Sequence, residues 1–228
     1  MTDSSASDLQ QQLDTITANT RSLVQPERLA ITDDAVEKLF STGIEDRILP
    51  VGSTAPAFAL PGASPTVLTG PGAVSGKLIR STDLLSLGPL IVKFFRGRWC
   101  PYCVTELEAW QASYTSVRER GALLVAISPQ LPRQNDFTVQ QHHLSFPVVH
   151  DNGCRVAESF GVVYSVPEAM QRHYRAILVN IPFINGDDSW RLPLPATFVL
   201  SSAGKVLFAE AHADHRVRPE PQDVLAVL

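Results

Sequence analysis

Cysteine is scarce. Three residues in 228 cannot build the disulfide framework of a small secreted domain, and the odd count leaves at least one thiol free. Long apolar runs are missing too. No stretch approaches the ~18 residues that a membrane-spanning helix needs. The longest, 90–92 and 122–127, have the length of buried strands. The first residues, MTDSSASDLQQQLD, hold no basic segment followed by an apolar one, so they do not read as a signal peptide. Nor is there an excess of positive charge: 19 Lys and Arg stand against 23 Asp and Glu, a net charge of −4. That balance excludes the electrostatic footprint of a nucleic-acid or anionic-membrane binder. The expectation is a soluble protein of a reducing compartment, the cytosol, with neither nucleic acid nor membrane as partner. What is present is an ordinary globular mixture, 44% apolar and 18% charged, long enough to bury a substantial core.

The chain divides into two parts. Residues 1–50 read as a helical arm, with Leu9, Leu13 and Ile16 at helical spacing and Ala35, Val36, Leu39 and Phe40 repeating it. Gln25-Pro26 separates two helices, because proline removes a donor and restricts its predecessor. Thr32, Asp33 and Asp34 are the expected caps of the second helix, Asp34 with Glu37 three residues on, and Gly43 its stop. The arm holds nothing reactive, so a packing role or a homodimer contact is expected of it. From Val51 to residue 228 the texture is that of one domain. Ala55-Pro56-Ala57-Phe58-Ala59-Leu60 forms a short strand, and the Gly-, Pro-, Ser- and Thr-rich stretch to about residue 76 reads as a surface insertion. Apolar strands then alternate with amphipathic helices over 90–95, 100–120, 122–128, 132–143, 146–150 and 154–160. That alternation implies βαβ units and an α/β class. Segments 196–200 and 205–211 flank Ser201-Ser202-Ala203-Gly204 as an antiparallel hairpin, and a last helix over 221–228 covers the sheet. Parallel units first and a hairpin with a closing helix last is the order of a thioredoxin-like fold, a central mixed sheet flanked by helices. Periodicity alone leaves it one of several α/β options.

Chemistry concentrates in Ile91-Val92-Lys93-Phe94-Phe95-Arg96-Gly97-Arg98-Trp99-Cys100-Pro101-Tyr102-Cys103. A buried strand runs through a short loop into a helix that opens at Cys100, with Pro101 at the first helical position, where its missing N–H costs nothing. Unpaired N–H groups and the helix dipole stabilise an anion there. A thiol so placed titrates in the range ~3.5–7.5 rather than near 8.5. Arg96 and Arg98 add positive potential. Cys103 lies one turn on, with a Cβ separation of roughly 5–6 Å that a modest adjustment brings to the ~3.5–4.5 Å of a disulfide. Cys100 is therefore the expected attacking thiol and Cys103 the resolving one. A zinc site would need two more ligands. There is no second Cys-x-x-Cys, and the strand–Cys–Pro–helix context is wrong for a zinc knuckle, although His142-His143 and His212-x-x-His215 are available. No metal or organic cofactor is expected.

Three segments carry a family resemblance. They are Phe95 to Cys103, Val125-Ala126-Ile127-Ser128-Pro129-Gln130, and Asn185-Gly186-Asp187-Asp188-Ser189-Trp190 before Pro193-Leu194-Pro195-Ala196-Thr197-Phe198. Together with Val51-Gly52-x-x-Ala55-Pro56-x-Phe58, they resemble the peroxiredoxin-like proteins of the alkyl hydroperoxide reductase and thiol-specific antioxidant family, within the thioredoxin superfamily. The resemblance covers nearly the whole chain. It implies a peroxide substrate, a Cys100 sulfenic acid, a Cys100–Cys103 disulfide and re-reduction by thioredoxin or a similar dithiol. It also implies that Pro195 occupies the active-site proline position, a plain strand-start proline being the alternative, and that Trp190 lines the cleft, a turn with an anchoring aromatic being the alternative. Trp99 and Tyr102, which flank the cysteines, are expected to form a docking surface for a partner. The chain departs from the family where it matters. Gly97 stands where a Thr or Ser hydroxyl orients the peroxide, Lys93 where a proline sits, and no Arg occupies 194–197, the nearest being Arg191. Such preorganised donors are worth ~3–4 kcal/mol each in a transition state, and Arg96 is the candidate replacement. Cys-Pro-Tyr-Cys also resembles a glutaredoxin site. A dithiol–disulfide oxidoreductase, or a redox sensor without turnover, therefore stays open as the alternative.

Other residues are read more plainly. Cys154 is expected to be a small buried hydrophobe, and His142 and His143 belong to a solvated helix end. Glu106 is placed to relay a proton to Cys103, an exposed carboxylate being the commoner explanation of such a residue.

Overall fold

The computed structural model describes residues 8–62 and 78–228. The surface insertion expected at about 63–76 lies outside them. In chain order the elements begin with α1 (Leu9–Leu23), α2 (Pro26–Ser41), β1 (Ala59–Pro61), β2 (Leu78–Arg80) and α3 (Ser81–Leu85). The central run is β3 (Leu90–Phe94), α4 (Pro101–Ala112), α5 (Tyr114–Glu119), β4 (Leu123–Ser128), α6 (Pro132–Gln141), β5 (Val148–His150) and α7 (Arg155–Ser159). The last part is β6 (Val163–Ser165), α8 (Glu168–Ala176), α9 (Ile181–Asn185), β7 (Arg191–Pro193), β8 (Ala196–Leu200), β9 (Val206–Ala211) and α10 (Pro221–Leu225).

The main sheet has five strands in the order β5-β4-β3-β8-β9. Strands β3, β4 and β5 run parallel, while β8 and β9 are antiparallel additions. The sequences of β3 and β4 are continuous buried runs, as strands covered on both faces must be. Alternation sends Leu90, Val92 and Phe94 to one face, where they pack with Val125, Ile127, Phe160 and Phe198. Phe160 stands 5.2 Å from Phe94 and 5.0 Å from Phe198, ring to ring. Ile91 and Phe95 go to the other face and meet Leu107, Trp110, Leu124 and Val199. By the same alternation Lys93 falls on this second face, the one covered by α4.

The two N-terminal helices separate at Gln25-Pro26 as expected, but the second begins there. Pro26 occupies the first helical position, where it lacks only a donor that would be unpaired anyway. Thr32, Asp33 and Asp34 therefore lie in mid-helix and cap nothing, a correction to the sequence reading. Gly43 ends the segment at φ +64°. Helix α1 packs on α4 and α2 on α8. The β6–β7 ribbon with α8 and α9 was not anticipated; it closes over a third cluster built on Met170, Tyr174, Ile181, Trp190 and Leu192. Among the described residues, no helix is long and apolar enough to cross a membrane.

Candidate active site

Strand β3 delivers the chain into a tight loop that ends at Cys100. Gly97 has φ +147°, and a Cβ there would lie 2.6 Å from Trp99 Nε1. A side chain at this position would have to push the Trp99 ring aside in a backbone conformation that favours glycine. The Arg98 N–H donates to Gln130 Oε1 (2.9 Å), and Gln130 in turn donates to Asn135 and Thr138, which ties the loop to α6. Cys100 then precedes α4 with Pro101 at its first position, and the Cys103 and Val104 N–H groups donate to the Cys100 carbonyl.

The loop aims Arg96 at the sulfur. Its Nη2 lies 3.0 Å from Cys100 Sγ, and its Nη1 donates to the Tyr174 hydroxyl at 3.4 Å. The guanidinium also sits 5.0 Å over the Trp99 ring, which holds its plane. Burial works against a Cys100 thiolate. The hydrogen bond from the Cys103 thiol and the adjacent Arg96 charge outweigh it and hold the Cys100 pKa well below the ordinary thiol range. Cys103 moves the opposite way. Burial, its hydrogen bond to Cys100 and the neighbouring thiolate push its pKa well above normal. The two sulfurs are thus driven apart, Cys100 towards the thiolate and Cys103 towards the thiol. Both are fully buried, and both are free thiols.

Beneath Cys103 lies a network that sequence reasoning missed. Glu106 is completely buried, not exposed; its Oε1 forms an ion pair with Lys93 Nζ and its Oε2 accepts from Arg218 Nε, each at 2.7 Å. Lys93 also donates to the Ala196 carbonyl (3.1 Å) and the Thr197 hydroxyl (3.2 Å). Its pKa is lowered, chiefly by burial, with Glu106 opposing. Desolvating three charges costs several kcal/mol per ion, and only mutual pairing offsets that. The sequence carried one signal for this network: a lysine inside an otherwise unbroken apolar strand requires a buried partner.

The expected site residues divide sharply. Arg96, Trp99, Cys100, Pro101, Tyr102 and Cys103 come together. Pro195 is buried beside them, because the Ala196↔Phe94 pairing sets it next to the chain leaving β3. Tyr102 is a correction. It is 8% exposed, its hydroxyl lies 3.1 Å from Thr17 Oγ1 of α1, and what it shows lines the cleft it shares with Trp99 rather than an open face. Trp190 is a second correction. It is buried in the third cluster with Arg175 4.8 Å over its ring, and it lines neither cavity beside Arg96. Arg98 turns outward to Gln141 and Phe137, and Arg191 is spent on Glu158 and the Gly153 carbonyl. Tyr164 and Tyr174, which the β6–α8 excursion brings to Arg96, were not foreseen. Beside Arg96 and Trp99 opens a cleft of about 190 Å³, walled by Thr17 and Leu29 of the arm and by Met170 and Tyr174 of α8. Among the described residues no group of three or more His, Cys, Asp or Glu side chains is placed to hold a metal ion. Cys154 is buried, its thiol 3.6 Å from the Arg191 carbonyl.

The chain is similar to known proteins. The sequence profile of the AhpC/TSA family matches residues 51–209, and the chain belongs to that family. Thiol-disulfide oxidoreductase ResA of Bacillus thuringiensis subsp. konkukian is 24% identical over 138 residues, 59% of this chain and 60% of that protein. ResA of Halalkalibacterium halodurans is 32% identical over 72 residues, 30% of this chain and 39% of its own length. Peroxiredoxin 2 of Caldanaerobacter subterraneus subsp. tengcongensis is 26% identical over 110 residues, 41% of this chain and 49% of that one. The chain therefore spans less than two thirds of these relatives. Among solved structures, peroxidoxin BcpB from Mycobacterium tuberculosis superposes with a TM-score of 0.57 at 22% identity, covering 78% of this chain and 96% of the other. Mycobacterium tuberculosis AhpC gives 0.56 at 20%, covering 79% and 91%. At these identities the likeness establishes the fold, which is thioredoxin-like of the peroxiredoxin type.

Proposed function

We propose that the chain is an oxidoreductase that reduces hydrogen peroxide or organic hydroperoxides through Cys100. The observation that carries this reading is the 3.0 Å contact between Arg96 and the Cys100 sulfur. It supplies the cation and donor that Gly97 and the segment 194–197 lack. The thiolate attacks one peroxide oxygen, the O–O bond breaks, and the departing alkoxide or hydroxide takes a proton. Arg96 donates to the oxygens as charge develops on them, the kind of preorganised interaction that lowers such barriers. Cys100 becomes a sulfenic acid. Cys103 then attacks its sulfur, loses a proton and expels water, leaving a Cys100–Cys103 disulfide. A thioredoxin-like dithiol reduces it by exchange, with the Pro195 backbone beside the reacting sulfurs. In this reading residues 51–228 are the redox domain and the first fifty an arm, and the setting is a reducing compartment such as the cytosol. Trp190 has no part in it.

The test is stopped-flow oxidation of the reduced protein by hydrogen peroxide, followed by Trp99 fluorescence. A fast, stoichiometric phase that disappears in Cys100→Ser supports the reading, and a rate no better than that of a free thiol of the same pKa removes it. The similarity to ResA favours one second reading, a dithiol–disulfide oxidoreductase that never handles peroxide. Rapid reduction of insulin disulfides with indifference to peroxide would select it.

A further inference from the structure

We propose that α1 is a displaceable lid seated on the face of the redox centre where a protein dithiol docks, and that Glu220 is its latch. The proposal rests on the reading of Cys100 and Cys103 as a redox pair.

Exchange requires a thiolate to approach in line with the S–S bond. It attacks Cys100 Sγ, the bond to Cys103 breaks, and the electron pair leaves on the Cys103 sulfur, which takes a proton. The partner's second thiol then attacks the mixed disulfide, which releases the Cys100 thiolate and leaves the partner oxidised. In the structure neither sulfur is reachable by a folded protein, since both are 0% exposed. Part of the cover is this chain's own helix, since α1 packs on α4, the helix that Cys100 opens. Leu9 and Leu13 of α1 belong to the same packed cluster as Cys100, Tyr102 and Cys103, and Thr17 contacts the Tyr102 hydroxyl.

The seat is shallow in apolar terms and polar at its end. Helix α1 buries only Leu9 and Leu13, and α2 buries no side chain fully. What fixes the start of α1 is a carboxylate from the far end of the chain. The N–H groups of Leu9 and Gln10, unpaired within any helix, donate to the two Glu220 oxygens at 3.0 and 2.8 Å. Gln10 Nε2 donates to the Arg216 carbonyl, and Arg216 pairs with Asp33 of α2 at 2.6 Å. The same short segment carries Arg218, whose guanidinium holds Glu106 beneath Cys103. One strap thus grips the lid and the charge network under the thiols. On this proposal a small thiol needs only a local shift at the 190 Å³ cleft, whose walls include Arg96, Trp99 and Tyr102 but neither sulfur, whereas a folded partner needs α1 to swing out.

The experiment uses the full chain in a Cys154→Ser background, with Glu220→Ala and Asp33→Ala as latch variants and Thr17→Val as a milder one. Far-UV circular dichroism checks that the helices persist. Reduced protein is labelled at Cys100 with iodoacetamide and, separately, with a polymer-linked maleimide. Opening the latch should speed polymer labelling about tenfold or more, the scale of one lost charge-assisted hydrogen bond, with a much smaller change for iodoacetamide. Reduction of the oxidised protein by thioredoxin should accelerate in parallel, while reduction by dithiothreitol should not. Equal labelling by both reagents in the wild type, or an unchanged ratio in every latch variant, overturns the lid. Faster labelling without faster thioredoxin reduction overturns the docking face. If peroxide or diamide never produces a Cys100–Cys103 disulfide, the redox reading falls, and the labelling ratio still decides the lid.

Discussion

Cys100 and Cys154 occupy formally similar places: each is buried, follows a strand and immediately precedes a helix. Their chemistry nevertheless diverges. The first turn of α4 contains no acidic residue, and Arg96 stands 3.0 Å from the Cys100 sulfur. At α7 the free N–H groups of Val156 and Ala157 are already taken by the Asp151 carboxylate, at 3.0 and 2.9 Å. Burial and the carboxylates of Asp151, Asp187 and Glu158 push the Cys154 thiol up, and Arg191, which opposes them, is spent on Glu158. A helix start is therefore not enough to make a nucleophile. What decides is whether its positive end is already neutralised and whether a cation faces the sulfur.

The contrast can be broken at its strongest point first. Cys100→Ser should abolish peroxide and disulfide chemistry alike in a coupled assay. Cys103→Ser should permit one turnover and leave a sulfenate that dimedone traps for mass spectrometry; loss of the first step in Cys103→Ser would reverse the two roles. Arg96→Met should make Cys100 resemble Cys154. The second-order rate with peroxide should fall on the order of 10²-fold, as when one preorganised donor is lost. The pH profile of iodoacetamide alkylation should shift upward towards an ordinary thiol. The sign also holds for stability. A thiol whose pKa is depressed in the folded state stabilises the protein above its unfolded pKa of about 9. That contribution is lost as pH falls through the depressed value. Reduced wild type should therefore lose stability relative to Cys100→Ser on acidification, as read by urea unfolding.

Glu106→Gln tests the layer beneath. Removing the carboxylate leaves Lys93 and Arg218 buried without a counter-charge, and unfolding should move by about 3–5 kcal/mol. Replacing Lys93 by Met in the same protein should recover part of that loss. The smallest effect sharpens the comparison from the inert side. Cys154→Ser should leave peroxide and alkylation rates at Cys100 unchanged and cost only ~1–3 kcal/mol, for a hydroxyl in an apolar site.

The legible and illegible parts of the molecule differ in the range of the interactions that define them. Strands β3 and β4 were readable because they are continuously apolar. The start of α4 was readable because Trp-Cys-Pro announces a helix whose first residue needs no donor. The cap at Thr32–Asp34 was misread because the proline that ends α1 also begins α2. The β6–β7 ribbon escaped because its strands are three residues long and only partly buried, so neither period appears. Of the two readings of Trp190 the anchoring aromatic holds, with φ 53° and its ring in the third cluster, a packing partner that local sequence does not announce.

By itself the sequence determined the α/β class, the order of the main strands, and a thiol pair at a helix start, because periodicity and proline geometry act over a few residues. Only the tertiary structure decided which cation would face Cys100, that Glu106 would be buried between Lys93 and Arg218, and that α1 would pack on α4. Arg218 and Glu106 are 112 residues apart in the chain. Electrostatic energy depends on distance through space and on burial, and neither is encoded in any local stretch of the chain.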